Sequence, residues 1–246
     1  MRLPTIIALA TGLLVAAPAL AEPTSVVVRA QSRDAKFIGT SMGGVAIRLT
    51  DVRSGKVLAE GLTEGGTGDT NLLMVQPWVR GAARAGEGAA AFTTSIDIEE
   101  PTLVRLDAIG PRGHPGSEVA ISSTAWVLPG QPVVGDGWVV EFPGLVVDPV
   151  TSLDGNRLKI TAKVTLMCGC PVTPGGLWDA DHYRVQAWLK QGTAAPRAID
   201  LGYAGEASTF AASAELDPKQ PWSLTVTAFD ARSGNAGVAV VGEAAP

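Results

Sequence analysis

The chain is poor in the residues that usually carry chemistry. Its 246 residues include two cysteines, two histidines and two tyrosines, and aromatic residues make up only 5%. No Gly-x-Ser-x-Gly elbow, phosphate-binding glycine loop or His-Glu-x-x-His zinc motif occurs, so the common hydrolase, nucleotide and metalloprotease sites are unsupported. His114 sits in the turn-like Arg112-Gly113-His114-Pro115-Gly116, and Glu99-Glu100 also falls in a turn; solvation explains both. Charged residues are 17% of the chain and the net charge is −5 without a basic patch. That balance argues against nucleic acid and against an anionic membrane surface.

Long apolar runs are scarce too. The first twenty residues hold the longest, from Ile6 to Leu20, behind Arg2 and ahead of Ala19-Leu20-Ala21. A positive start, a short apolar stretch and a small-x-small ending describe a signal peptide over 1–21, cleaved after Ala21. No cysteine stands directly after the cleavage site to take a lipid anchor, and no later run approaches the ~20 apolar residues of a spanning helix. The expectation is a periplasmic or secreted protein without membrane insertion after cleavage, in an oxidising compartment.

What the chain does have is alternation. Val45, Ile47 and Leu49 alternate with Ala46, Arg48 and Thr50. Leu158 to Leu166 and Tyr183 to Leu189 follow the same period of two. Each run places one apolar face on a core and leaves the other wet. Arg53-Ser54-Gly55, Asp154-Gly155-Asn156 and Ser233-Gly234-Asn235 punctuate the runs as turns. No stretch sustains a helical period, so the expected class is all-β with antiparallel sandwiches.

Residues 63–78 (TEGGTGDTNLLMVQPW) align without gaps to 173–188 (TPGGLWDADHYRVQAW), with seven of sixteen positions identical. Further on, Phe92 matches Phe210, Ser95 matches Ser213, Pro101 matches Pro221 and Ala108 matches Ala228. Such self-similarity reads as an internal duplication. It gives one domain over 22–130 and another over 131–246, with the boundary in Pro129-Gly130-Gln131-Pro132. Two strand-rich units of this size resemble the immunoglobulin-like or fibronectin-III-like β-sandwich modules of bacterial envelope proteins, although the Cys…Trp…Cys spacing of antibody domains is absent. The resemblance implies two tandem Ig-like antiparallel sandwiches and a non-enzymatic binding or accessory role. The partner would be an envelope protein or an extracellular ligand.

The repeat also sorts the candidate residues. Thr-x-Gly-Gly-x-x-Asp occurs in both copies, so Asp69 and Asp179 read as turn residues rather than as a calcium loop. Cys168-Gly169-Cys170 has no counterpart in the first copy. Two cysteines two apart on an extended strand have Cα atoms ~6.5 Å apart, beyond the usual ~5.5–6 Å of a disulfide, so Gly169 must bend the chain for a bridge to form. The alternatives are a soft-metal site for Cu(I), with Met167 or His182 as a further ligand, and thiols that exchange disulfides. No cofactor is expected under the first of these three readings. Trp78 and Trp188 fall on the polar parity of their runs. They stack on a ligand there or are covered by a neighbouring loop. Pro77 marks its own run as an edge strand.

Overall fold

The structure, a computed structural model, describes residues 22–217 and 219–244; the expected signal segment lies outside them. The first half contains β1 (Glu22–Ser32), β2 (Ala46–Asp51), β3 (Val57–Leu62), β4 (Phe92–Ile98), β5 (Thr102–Gly110) and β6 (Val119–Val127). Then come β7 (Val133–Phe142), β8 (Leu145–Asp154), β9 (Arg157–Leu166), β10 (Tyr183–Gln191), β11 (Arg197–Tyr203), β12 (Thr209–Glu215), β13 (Trp222–Asp230) and β14 (Ala236–Ala244). Among the described residues the helical pieces are single turns, so the all-β class holds. The alternating runs face as their period demands: Leu158, Ile160, Ala162, Val164 and Leu166 are all buried, and so are Tyr183, Val185, Ala187 and Leu189.

In the first sandwich, sheet β4-β1-β7 packs on sheet β3-β2-β5-β6. Val26, Val28 and Ile96 from one layer meet Ile47, Leu49, Val104 and Leu106 from the other. The second sandwich is one continuous strip, β14-β13-β10-β11-β12-β9-β8. Its two arms share a core in which Ile160 and Val164 of β9 lie with Val185, Leu189 and Val226 of β10 and β13. Only Gly202↔Ala211 and Tyr203↔Phe210 join β11 to β12, and the rings of Tyr203 and Phe210 meet edge to face at 5.8 Å where the arms join.

The two halves repeat one strand order. The order 3-2-5-6 in the first corresponds to 11-10-13-14 in the second, and the β1–β4 pair to the β9–β12 pair. The downstream matches fall on corresponding strands: Phe92 and Ser95 on β4, Phe210 and Ser213 on β12, Ala108 on β5 and Ala228 on β13. The sixteen-residue match does not. Residues 63–78 lie in the β3–β4 connection, whereas 173–188 lie in the β9–β10 connection and in β10 itself. Trp78 is therefore a loop residue and Trp188 a strand residue, and Asp69 and Asp179 occupy different connections. Pro77, opposite Ala187 in the alignment, explains part of the divergence, because its ring removes an N–H that a ladder would use. The chain around it is loop, not the edge strand expected.

The strand that flanks β1 and its counterpart β9 differs between the halves. β8 pairs antiparallel with β9, but β7 pairs parallel with β1. β7 follows the expected boundary at 130/131, and its Val140 and Phe142 are buried in the first core. Gly137 has φ +71, and a Cβ there would lie 2.3 Å from the Val27 carbonyl oxygen. The bulge this glycine permits turns Asp136 to accept the Arg84 and Ala85 N–H groups, which pins the long 63–91 connection.

The halves also exchange side chains. Ala35 of the β1–β2 connection is buried in the second core, and Met167, just after β9, is buried in the first. Asn235, 1% exposed, donates to the Arg33 carbonyl and accepts from Gly144 N–H.

Candidate functional site

The Cys-Gly-Cys segment closes the end of β9. Gly169, at φ +76, donates to the Leu166 carbonyl at 2.8 Å, and Leu166 N–H donates back to the Cys170 carbonyl at 3.3 Å. This turn draws the two Cα atoms to 5.4 Å, and Cys168 and Cys170 are joined as a disulfide. Both are buried in the second core. Met167 faces the first core instead. His182 ends the turn Ala180–His182, where its carbonyl accepts Ala231 N–H.

Asp69 and Asp179 are occupied with backbone. Asp69 Oδ1 accepts Leu72 N–H at 2.7 Å and starts the π-helical turn Asn71–Val75. Asp179 Oδ1 accepts Gly175 N–H at 2.9 Å and Asp181 N–H at 3.2 Å. Those bonds, the Gly175 one foremost, hold its carboxyl below the usual carboxylate range. His114 is not simply solvated: its ring approaches the Asp148 carboxylate at 3.1 Å, linking the connection before β6 to β8.

The tryptophans are where side-chain surface remains unspent. Trp188 points outward from β10, 41% exposed, with its N–H directed at Thr227 Oγ1 at 3.3 Å. Phe229, Val238 and Val240 are exposed on the neighbouring strands, in rows paired with Arg184, Gln186 and Trp188. Trp78 is 70% exposed on the 63–91 connection, beside exposed Val75 and Val79. The two are thus on separate elements of separate halves and form no common site.

Sequence reasoning passed over Trp126. It lies near the end of β6, opposite Leu103 of β5, and is 62% exposed. It walls a cleft of about 170 Å³ whose other sides are Asp51, Val52, Arg53, Glu100, Thr102 and Leu103. Arg53 pairs with Glu100 at 2.5 Å. Asp51 accepts Ser54 Oγ–H and Arg53 N–H, which keeps its carboxyl below the usual range. A signal was present: Ala120, Ser122, Thr124 and Trp126 share the outward parity of β6, so the one large aromatic on a polar face stood out by period alone.

No family model matches the chain, and no curated protein does. Among solved structures it is similar to a DUF3823 family protein from Bacteroides ovatus, at 11% identity and TM-score 0.31, covering 89% of this chain and 97% of that one. A second DUF3823 family protein, from Bacteroides uniformis, gives 12% identity and TM-score 0.27 over 89% and 98%. The chicken interferon gamma receptor alpha chain gives 12% identity and TM-score 0.31 over 93% and 97%. At these scores the likenesses carry no argument about function.

Proposed function

We propose that the protein is an exported, non-enzymatic binding or accessory module of a bacterial envelope, presenting a ligand surface on two packed sandwiches. One observation carries the reading. The cysteines and the loop aspartates singled out for chemistry are engaged in the fold, while Trp78, Trp126 and Trp188 keep large aromatic surfaces exposed. Tryptophan in that position favours contact with a partner or ligand, because its ring offers area and its N–H a polar handle.

The test is retention of a defined partner. Immobilised mature chain is exposed to envelope extract and culture medium beside a Trp78→Ala/Trp126→Ala/Trp188→Ala variant. A partner held by the first and lost by the second is expected; equal retention, or none, counts against the reading. Mass spectrometry of natively exported protein checks the rest, with an N-terminus at Glu22, a bonded Cys168–Cys170 pair and no copper expected. Bound copper would favour the soft-metal alternative, and free thiols the exchange alternative.

A further inference from the structure

We infer that the Trp126 cleft is a subsite for one neutral pyranose ring, an inference that rests on the binding-module reading and names its ligand class. Among the described residues the Trp126 indole meets no hydrogen-bond acceptor, aromatic ring or cation. Its ring face and its N–H are both available. A pyranose has one face of C–H bonds, which settles on the negative π-face of an indole, and a rim of hydroxyls that need donors and acceptors together.

The cleft supplies that rim. Arg53 offers the N–H groups left over from its bond to Glu100, Glu100 its second carboxylate oxygen, and Thr102 the lone pairs of a hydroxyl whose hydrogen goes to the Glu100 carbonyl, all on walls shared with Trp126. An aliphatic occupant would desolvate the Arg53–Glu100 pair and return no hydrogen bond, which disfavours it. A volume of about 170 Å³ is below the ~300–1,000 Å³ typical of drug-sized ligands, so a single ring is the matching scale.

Charge narrows the sugar. Asp51 and Glu100 line the cleft, and Asp97 and Glu99 line the adjoining concavity, against Arg53 and Lys56. The surroundings are net negative and repel a uronate. Position fits as well. Met42, Asp34 and Ser117, which meet the second half, are on connections at the other ends of these strands. The cleft therefore opens away from the junction, with space for the rest of a glycan chain.

The experiment follows the indole N–H signals of 15N-labelled mature protein. The sequence has six tryptophans, and Trp126→Phe assigns the signal of interest. Glucose, galactose, mannose and N-acetylglucosamine are titrated, with glucuronate as the charged comparator, to about ten times a Kd of ~1 mM, the weak range that a single ring reaches. The Trp126 signal should move saturably with at least one neutral sugar while that of Trp178 stays fixed. Glu100→Gln tests the carboxylate: the amide oxygen still accepts, so that sugar should weaken only about threefold to tenfold, the loss of the charge assistance in one hydrogen bond. A Trp126 signal unmoved by all four sugars, or moved as readily by glucuronate, overturns the inference. If partner retention persists in that case, only the sugar assignment falls; if retention fails as well, the binding-module reading falls with it.

Discussion

The indole N–H of Trp178, in the connection between β9 and β10, donates to the backbone carbonyl of Asp34 in the connection between β1 and β2 at 2.8 Å. The donor belongs to the second sandwich and the acceptor to the first. Trp178 is 8% exposed and packs in the second core beside Ala35, the residue after its acceptor. A loop of one half thus supplies both the lid and a hydrogen-bond acceptor for the core of the other.

Replacing Trp178 with Phe should lower the stability of the whole chain by about 2–4 kcal/mol. The loss combines one buried hydrogen bond, an unpaired Asp34 carbonyl and missing ring volume. Urea unfolding followed by fluorescence and by circular dichroism checks it. If the junction couples the halves, both probes shift together.

Asp34 gives a pH dependence of definite sign. Burial raises its carboxyl above the ordinary value; Arg232 offsets part of that shift and Asp230 adds to it. The folded chain therefore holds the proton more readily than the unfolded chain. Its contribution is fully present below the ordinary value of about 4 and is lost as pH rises through the raised one. Asp34→Asn should raise the Tm at pH 7 and leave it unchanged below about pH 4, since an amide carries no charge to desolvate. Asparagine also accepts the residue's φ of +54. Thermal melts across that range would show the two curves converging in acid.

Tyr183 is 8% exposed, and its hydroxyl meets no partner among the described residues. Burial, with Asp230 and Asp34 nearby, pushes its phenol upward, so it stays protonated. Tyr183→Phe should be neutral or stabilising by about 1 kcal/mol, because it removes an unsatisfied buried group. A loss of more than that in denaturant unfolding would mean the hydroxyl has a partner.

Gly169→Ala separates backbone from contact when set beside Gly175→Ala. Both glycines have positive φ, +76 and +65. A Cβ at 169 would lie 2.6 Å from Met42 Sδ, while one at 175 meets nothing within 4 Å. Gly175→Ala should lose about 1–2 kcal/mol from the left-handed backbone alone. Gly169→Ala should lose more, and Met42 of the first core takes the strain, so the difference between the two melts measures that contact.

The disulfide closes so short a loop that it restrains the unfolded chain little. Burial decides the effect of removing it. A Cys168→Ser/Cys170→Ser variant places two hydroxyls in an apolar core, at about 1–3 kcal/mol each if they stay unpaired. The corresponding double Ala variant should therefore be the more stable of the two. The reverse order in thermal melts would show that the serines find acceptors.

The strand faces were readable because each alternates locally. The signal for Leu158 to Leu166 lies entirely within those residues, and the turns at Gly55, Gly155 and Gly234 mark where the runs break. The parallel pairing of β7 with β1 left no such trace, since Ala30 and Val140 are distant in the chain and either would suit many partners. The sixteen-residue match misled for a related reason. A glycine pair, a capping aspartate and a short helical turn solve the same local problem in both connections, and nothing in those residues says which strands they join. Trp126 was legible by parity but lacked a repeat partner, and its cleft is made by side chains from three strands and two connections.

The strand that completes the first sandwich is the seventh to be synthesised. Until Phe142 has emerged, β1 offers an open edge beside Val26, Val28 and Ala30, and such an edge recruits other strands. Distant pairings of this kind also form slowly. A chain passing through a narrow pore with its N-terminus first would spend that interval exposed, and a fragment cut at residue 130 would never leave it. The first half is thus a unit in space but not in time.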